Sequence, residues 1–126
     1  MSHPVSTPAE VAGRYLQAWN ETDARRRRAL ISEVFTSDIS YVDPLAEVAG
    51  HDGIDALIAG MQAKVGGARF TVKGTADGHH DRVRFSWSLR LGDTTLAEGT
   101  DVAIVAADGR LRTVTGFLDY VAPGVA

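Results

Sequence analysis

The sequence predicts an α+β fold in which three N-terminal helices lie on one face of a curved, mainly antiparallel sheet. Three features of the 126-residue chain point that way. Apolar residues recur at helical spacing in the first half, as in Val11, Tyr15 and Trp19, and again in Ile54, Leu57, Ile58, Met61 and Val65. The second half alternates instead, most cleanly where Val83, Phe85, Trp87, Leu89 and Leu91 interleave with Arg82, Arg84, Ser86, Ser88 and Arg90. Between two runs rich in Val, Ile, Thr and Phe, Asp108-Gly109 is a hairpin signal of the type I′ kind.

Each element has its own signal. Thr7-Pro8-Ala9-Glu10 opens the first helix, with Thr7 as N-cap, Pro8 at the first helical position and Glu10 completing a capping box. The stripe that follows turns Tyr15 inward, where its hydroxyl needs a partner. Asp23 caps a second helix over Ala24–Phe35. Arg25–Arg28 fan around that helix, so they read as a solvated, partly snorkelling face and not as an anion site. Thr36–Asp38 reads as a loop, and Ile39–Asp43 as a short strand stopped by Pro44, with Ile39, Tyr41 and Asp43 on one face. Gly50–Gly53 leads into the third helix, which Gly66-Gly67 closes. Strands follow at Ala68–Gly74 and Asp81–Leu91, separated by a turn over Asp77–Asp81, and then at Thr100–Ala106 and Leu111–Leu118. Residues 1–126 read as one domain, with loose tails at 1–6 and 121–126.

Composition narrows the function classes. Thirteen basic and sixteen acidic residues give a net charge of −3, which disfavours nucleic acid and membrane surfaces as partners. The absence of cysteine removes disulfides, thiolate nucleophiles and Cys-based zinc sites. Met1–Pro8 lacks the basic start and apolar run of a signal peptide, so the expectation is a cytoplasmic protein. There is no Gly-x-Gly-x-x-Gly, P-loop or His-Glu-x-x-His, and the expectation is no metal and no cofactor. His79 and His80 are adjacent near a turn and diverge if the backbone is extended. His51 reads as capping or exposed.

Three residues from separate elements remain as chemistry: Tyr15, Asp43 and Asp101. A strand-end carboxylate beside apolar side chains can serve as a general base. A desolvated neutral carboxyl beside a tyrosine hydroxyl can donate two hydrogen bonds to a developing oxyanion. The same residues are also readable as a core tyrosine, an ordinary Asp-Pro turn and a salt-bridged or capping acid. Trp19, Tyr41, Val114, Gly116 and Leu118 are the expected substrate-binding residues around them.

GRYLQAWNETD, DISYVDP before a helix opened by GHDGIDAL, and the closing GTDVAIVAADGRLRTVTGFLD together resemble the NTF2-like superfamily, in particular its SnoaL-like polyketide-cyclase and ketosteroid-isomerase branches. The resemblance spans essentially the whole chain between the tails. It implies a cystatin-like cone, open at one end, that holds a small hydrophobic ligand, and a homodimer packed through the sheet. It also implies roles. Arg14-Tyr15 matches the isomerase's oxyanion tyrosine, Asp43-Pro44 its catalytic base and Asp101 its protonated aspartate. The implied activity is cofactor-independent proton transfer on a hydrophobic carbonyl compound, by isomerisation or aldol-type cyclisation. A non-catalytic ligand-binding or dimerisation module on the same fold is the alternative. The spacing from Tyr15 to Asp43 is longer than in the isomerase. The epoxide-hydrolase branch carries Arg two residues before the matching Asp, where this chain has Gly99, which argues against epoxide opening.

Alternation leaves one conflict. A two-residue turn at Asp108-Gly109 pairs Asp101 with Gly116 and sets it on a face with Ala97, Gly99, Ala103, Val114 and Leu118. A two-residue turn at Gly92-Asp93 instead sets Asp101 opposite Arg84, as half of an ion pair. A longer loop or a β-bulge would reverse the second outcome. Sizeable residues on both faces of the sheet imply that a second subunit covers the outer one.

Overall fold

Local signals set the starts of the first two helices. In the computed structural model, which describes residues 6–125, α1 (Pro8–Asn20) begins at Thr7 with both capping-box hydrogen bonds made. Asp23 accepts from Arg26 N (2.9 Å) at the start of α2 (Ala24–Val34). The chain continues as β1 (Phe35–Val42), β2 (Glu47–Ala49), α3 (Gly50–Lys64), β3 (Arg69–His79), β4 (Arg82–Leu91), β5 (Thr94–Val105) and β6 (Leu111–Val121). The six strands form one sheet in the order β2-β1-β6-β5-β4-β3, antiparallel throughout except for the β1–β6 pair. Register shifts in four of the five strand pairs curve it around the helices. The core between them is built on Tyr15, Phe35, Ile31, Ile39, Ile54, Ile58, Phe85, Leu111 and Val114, each under 2 % exposed.

Several boundaries differ from the sequence reading. Thr36–Asp38 belongs to β1: Phe35 already pairs with Leu111, and a register shift before Ser40 disguises the strand as a loop. α2 therefore stops at Val34, and Phe35 is its cap. β3 runs past Gly74 to His79 after a similar shift between Lys73 and Asp77, so the turn shrinks to His80-Asp81. α3 starts at Gly50 itself, and β2, only three residues long, carries no alternation to announce it. The proposed loose tails fall partly outside the described residues (1–5 and 126), while β6 extends through Val121.

The Arg25–Arg28 reading also needs correction at one position. Arg27 is buried, and its Nε lies 2.7 Å from Asp55 Oδ1 on α3. Its Nη1 reaches Gln62 Oε1 (3.1 Å) and Glu21 O (3.3 Å), and Gln62 Nε2 in turn donates to Trp19 O (3.1 Å) and Glu21 O (2.8 Å). This knot joins all three helices behind the site. Arg27→Ala leaves Asp55 without its closest partner and is expected to cost about 3–5 kcal/mol in urea unfolding. A wild-type midpoint would mean that the knot contributes little.

Candidate functional site

Two helices and five strands converge on one small cavity. It measures about 50 Å³ and is lined by Tyr15, Leu16 and Trp19 from α1, Tyr41, Asp43 and Leu45 from β1 and its exit, Met61 from α3, and Phe70, Trp87, Asp101 and Leu118 from the sheet. That is room for a group of a few heavy atoms, since one water needs roughly 10–15 Å³ of such space. Tyr15, Asp43 and Asp101 are thus brought together, as the sequence reading expected. Of the expected binding residues, Trp19, Tyr41 and Leu118 line the cavity, whereas Val114 is 1 % exposed in the core behind it. Gly116 is not a lining residue but lies between the two acids: a Cβ there would stand 3.0 Å from Asp101 Oδ1 and 3.2 Å from Asp43 Cβ.

The register decides that Asp101 faces this cavity. Leu91 pairs with Thr94, so the Gly92-Asp93 turn has the expected two residues. A bulge between Leu89 and Arg90 then slips the pairing by one, and Asp101 meets Phe85 instead of Arg84. Arg84 turns outward to Asp77, with Nε–Oδ1 at 3.1 Å and Nη2–Oδ2 at 2.8 Å. On the other side Asp101 pairs with Gly116 as expected, but by a different route. The turn is not type I′. Only Gly109 has positive φ (89°), Gly109 N donates to Ala106 O (2.9 Å), and Ala106 N donates to Arg110 O (2.7 Å). That closes a three-residue loop, and a bulge between Ile104 and Val105 restores the register.

Asp101 is 3 % exposed and accepts two neutral hydrogen bonds, from Tyr15 Oη to Oδ2 (2.8 Å) and from Trp87 Nε1 to Oδ1 (3.1 Å). Burial pushes its carboxyl up to about 6; the Trp87 and Tyr15 hydrogen bonds restrain that rise, while Asp43 and Asp119 add to it. Asp43 is half-buried at the mouth. Tyr41 Oη donates to its Oδ2 (2.6 Å), and the backbone N–H groups of Leu45 and Ala46 donate to its Oδ1 (both 2.8 Å). Burial raises both phenols, Tyr15 well above the usual tyrosine range, so both remain protonated donors. Neither acid takes part in a salt bridge among the described residues, and no Lys, Arg or His lines the cavity.

Trp87 is the partner that the sequence reading missed. Its inward alternation with Phe85 and Leu89 was a usable signal, but its contact with Asp101 depends on the bulge. Phe70 was also missed as a lining residue. Asn20 holds it in place: its Nδ2 donates to Phe70 O (2.9 Å) and its Oδ1 accepts from Phe70 N (2.8 Å), tying the end of α1 to β3. Trp19 Nε1 is the one buried side-chain polar atom without a hydrogen bond among the described residues. Those residues also hold no group of three or more His, Cys, Asp or Glu able to bind a metal ion, and no helix long and apolar enough to cross a membrane.

This arrangement, three helices on a curved unclosed sheet with a small cavity between them, defines an NTF2-like, cystatin-like fold. The sequence profile of the SnoaL-like domain matches residues 12–117, and the chain belongs to that family. It is similar to a candidate isomerase of the SnoaL-like family from Agrobacterium tumefaciens strain C58, at 44 % identity over 87 % of this chain and 95 % of that one, with a TM-score of 0.84. A ketosteroid-isomerase-like fold protein from Catenulispora acidiphila DSM 44928, crystallised with trimethylamine, shares the fold at 20 % identity, covering 95 % of this chain and 91 % of that one (TM-score 0.73). So does a candidate SnoaL-like polyketide cyclase from Jannaschia sp. CCS1, at 13 % identity over 94 % and 91 % of the two chains (TM-score 0.71). No match is found among curated proteins.

Proposed function

We propose that the chain is a cofactor-independent proton-transfer enzyme for a small hydrophobic carbonyl compound, acting by isomerisation or aldol-type cyclisation. One observation carries this reading: a buried carboxyl, with its pKa raised to about 6, faces a cavity beside a second acid and two protonated tyrosines. A base works best when its pKa lies near the working pH. That suits Asp101 as the group that removes the proton α to the carbonyl. The C–H electron pair then passes into the enolate. As Asp101 takes up the proton it needs the Tyr15 hydrogen bond less, and the Tyr15 O–H turns to the enolate oxygen. Asp43 accepts from Tyr41 Oη and from two backbone N–H groups, and so fixes the position of Tyr41.

The test is a panel of enones and β,γ-unsaturated ketones. Asp101→Asn is expected to lower kcat by about 10²–10⁴-fold, and Asp43→Asn by less than about tenfold. Because the base must be ionised, kcat/KM rises with pH up to about 6 and then levels. The reverse ranking of the two variants would return the base to Asp43, and unchanged turnover in both would end the proposal.

The tight filling of the cone, which leaves about 50 Å³, favours a second reading as a ligand-binding module. Saturable ligand binding without turnover on any member of the panel is its signature. For either reading we propose a homodimer through the sheet. Phe117, 56 % exposed, stands opposite Thr100 on the outer face that it shares with the half-buried Val102 and Ile104. Phe117→Asp is expected to convert a dimer to a monomer in sedimentation equilibrium; a monomeric wild type would remove the proposal.

A further inference from the structure

Charge and aromatic content single out a ligand class for the cavity. Five of its lining side chains are aromatic: Tyr15, Trp19, Tyr41, Phe70 and Trp87. Neighbouring rings sit with centroids 5.3–6.2 Å apart and planes tilted by 46–75°, in the pairs Tyr15–Trp19, Trp19–Tyr41, Trp19–Phe70 and Phe70–Trp87. Such tilts make walls facing in several directions instead of a stack. Two carboxyl groups open into the same space, and every hydrogen bond they accept there comes from a neutral donor. Asp119 on β6 lies close enough to add its charge to the field at Asp101, and the lining residues supply no cation. An organic cation answers both features, because it neutralises the acids and is attracted to ring faces.

We propose that the cavity binds a small organic ammonium group, with the rest of the ligand passing out beside Leu45. Leu45 is 66 % exposed at the cavity edge, and the cavity's small volume fits a headgroup. The proposal does not rest on proton transfer, because the charge imbalance is present with or without turnover.

Choline and its neutral isostere 3,3-dimethylbutan-1-ol separate charge from shape. Both tryptophans of the chain, Trp19 and Trp87, line the cavity, so their indole N–H signals in NMR titrations report on it directly. Choline is expected to shift both signals saturably at pH 7.5 and to bind at least about tenfold tighter than the isostere. Asp101→Asn and Asp43→Asn are each expected to cut that preference, and the folding of either variant is checked by circular dichroism. Equal or tighter binding of the neutral alcohol, or no saturable shift with choline, overturns the proposal. Enone turnover is measured separately, so a failure of catalysis and a failure of cation binding are told apart.

Discussion

Asp101→Asn is expected to make the protein more stable at pH 8 and no more stable at pH 4. In the folded chain the Asp101 carboxyl is raised from 3.8 to about 6 because burial penalises its charged form. The folded state therefore holds a proton that the unfolded state releases between these values. Wild-type stability accordingly falls as pH rises from about 4 to about 6, and the full penalty persists above. A shift of this size corresponds to on the order of 2–3 kcal/mol. Asparagine is isosteric with the neutral acid. Its oxygen can accept from Trp87 Nε1, and its amide can donate to Tyr15 Oη, so the wall of the cavity is kept. Thermal unfolding of the two proteins across pH reads the effect as a gap of several degrees that opens between pH 4 and 6. Equal melting temperatures at pH 8, or a gap that does not change with pH, would show that Asp101 carries no desolvation penalty. A gain in stability paired with a loss of turnover is what a strained functional group produces.

Gly99→Ala is expected to destabilise the protein by about 1–3 kcal/mol and to disturb the site from behind. Gly99 lies directly across from Trp87, whose ring covers the place where a side chain would stand. A Cβ would come within 2.6 Å of Phe117 O and 2.7 Å of Trp87 Cε2. The carbonyl belongs to the β5–β6 pairing and cannot retreat, so Trp87 must move and its hydrogen bond to Asp101 is lost. Losing a donor that restrains the carboxyl pushes Asp101 further up, and the inflection of the pH–rate profile moves to higher pH with it. Gly13→Ala is the control: nothing lies within 4 Å of its added Cβ on exposed α1, where alanine favours the helix by up to about 1 kcal/mol. A wild-type urea midpoint for Gly99→Ala would mean that Trp87 shifts freely.

How much was legible follows the range of each interaction. The capping box at Thr7 and the Asp23 cap span three residues, and sequence alone identifies them. Inward placement of Tyr15, Tyr41 and Asp43 follows from helical and strand periodicity, which needs no knowledge of neighbouring strands. The burial of Arg27 depends on Asp55, 28 residues away, and nothing in a run of four arginines distinguishes the one that meets it. Trp87 is similar: its facing direction was readable, but its partner was not.

For Asp101 the division is sharpest. The chain by itself determined the α+β order, the starts of the first two helices, and an acid in a strand of small and β-branched residues; its pairing with Gly116 depends on a bulge that compensates the longer loop. Tertiary structure alone decided whether that acid met Arg84 or the cavity. One extra residue in a bulge moves every following side chain to the other pairing, and the local sequence preferences for a bulge and for a regular ladder differ by too little to choose between them. The choice is made by packing: the bulge sets Gly99 across from Trp87, where a regular ladder would set Glu98, and the Trp87 ring lies over that glycine while Asp101 comes inward beside Tyr15.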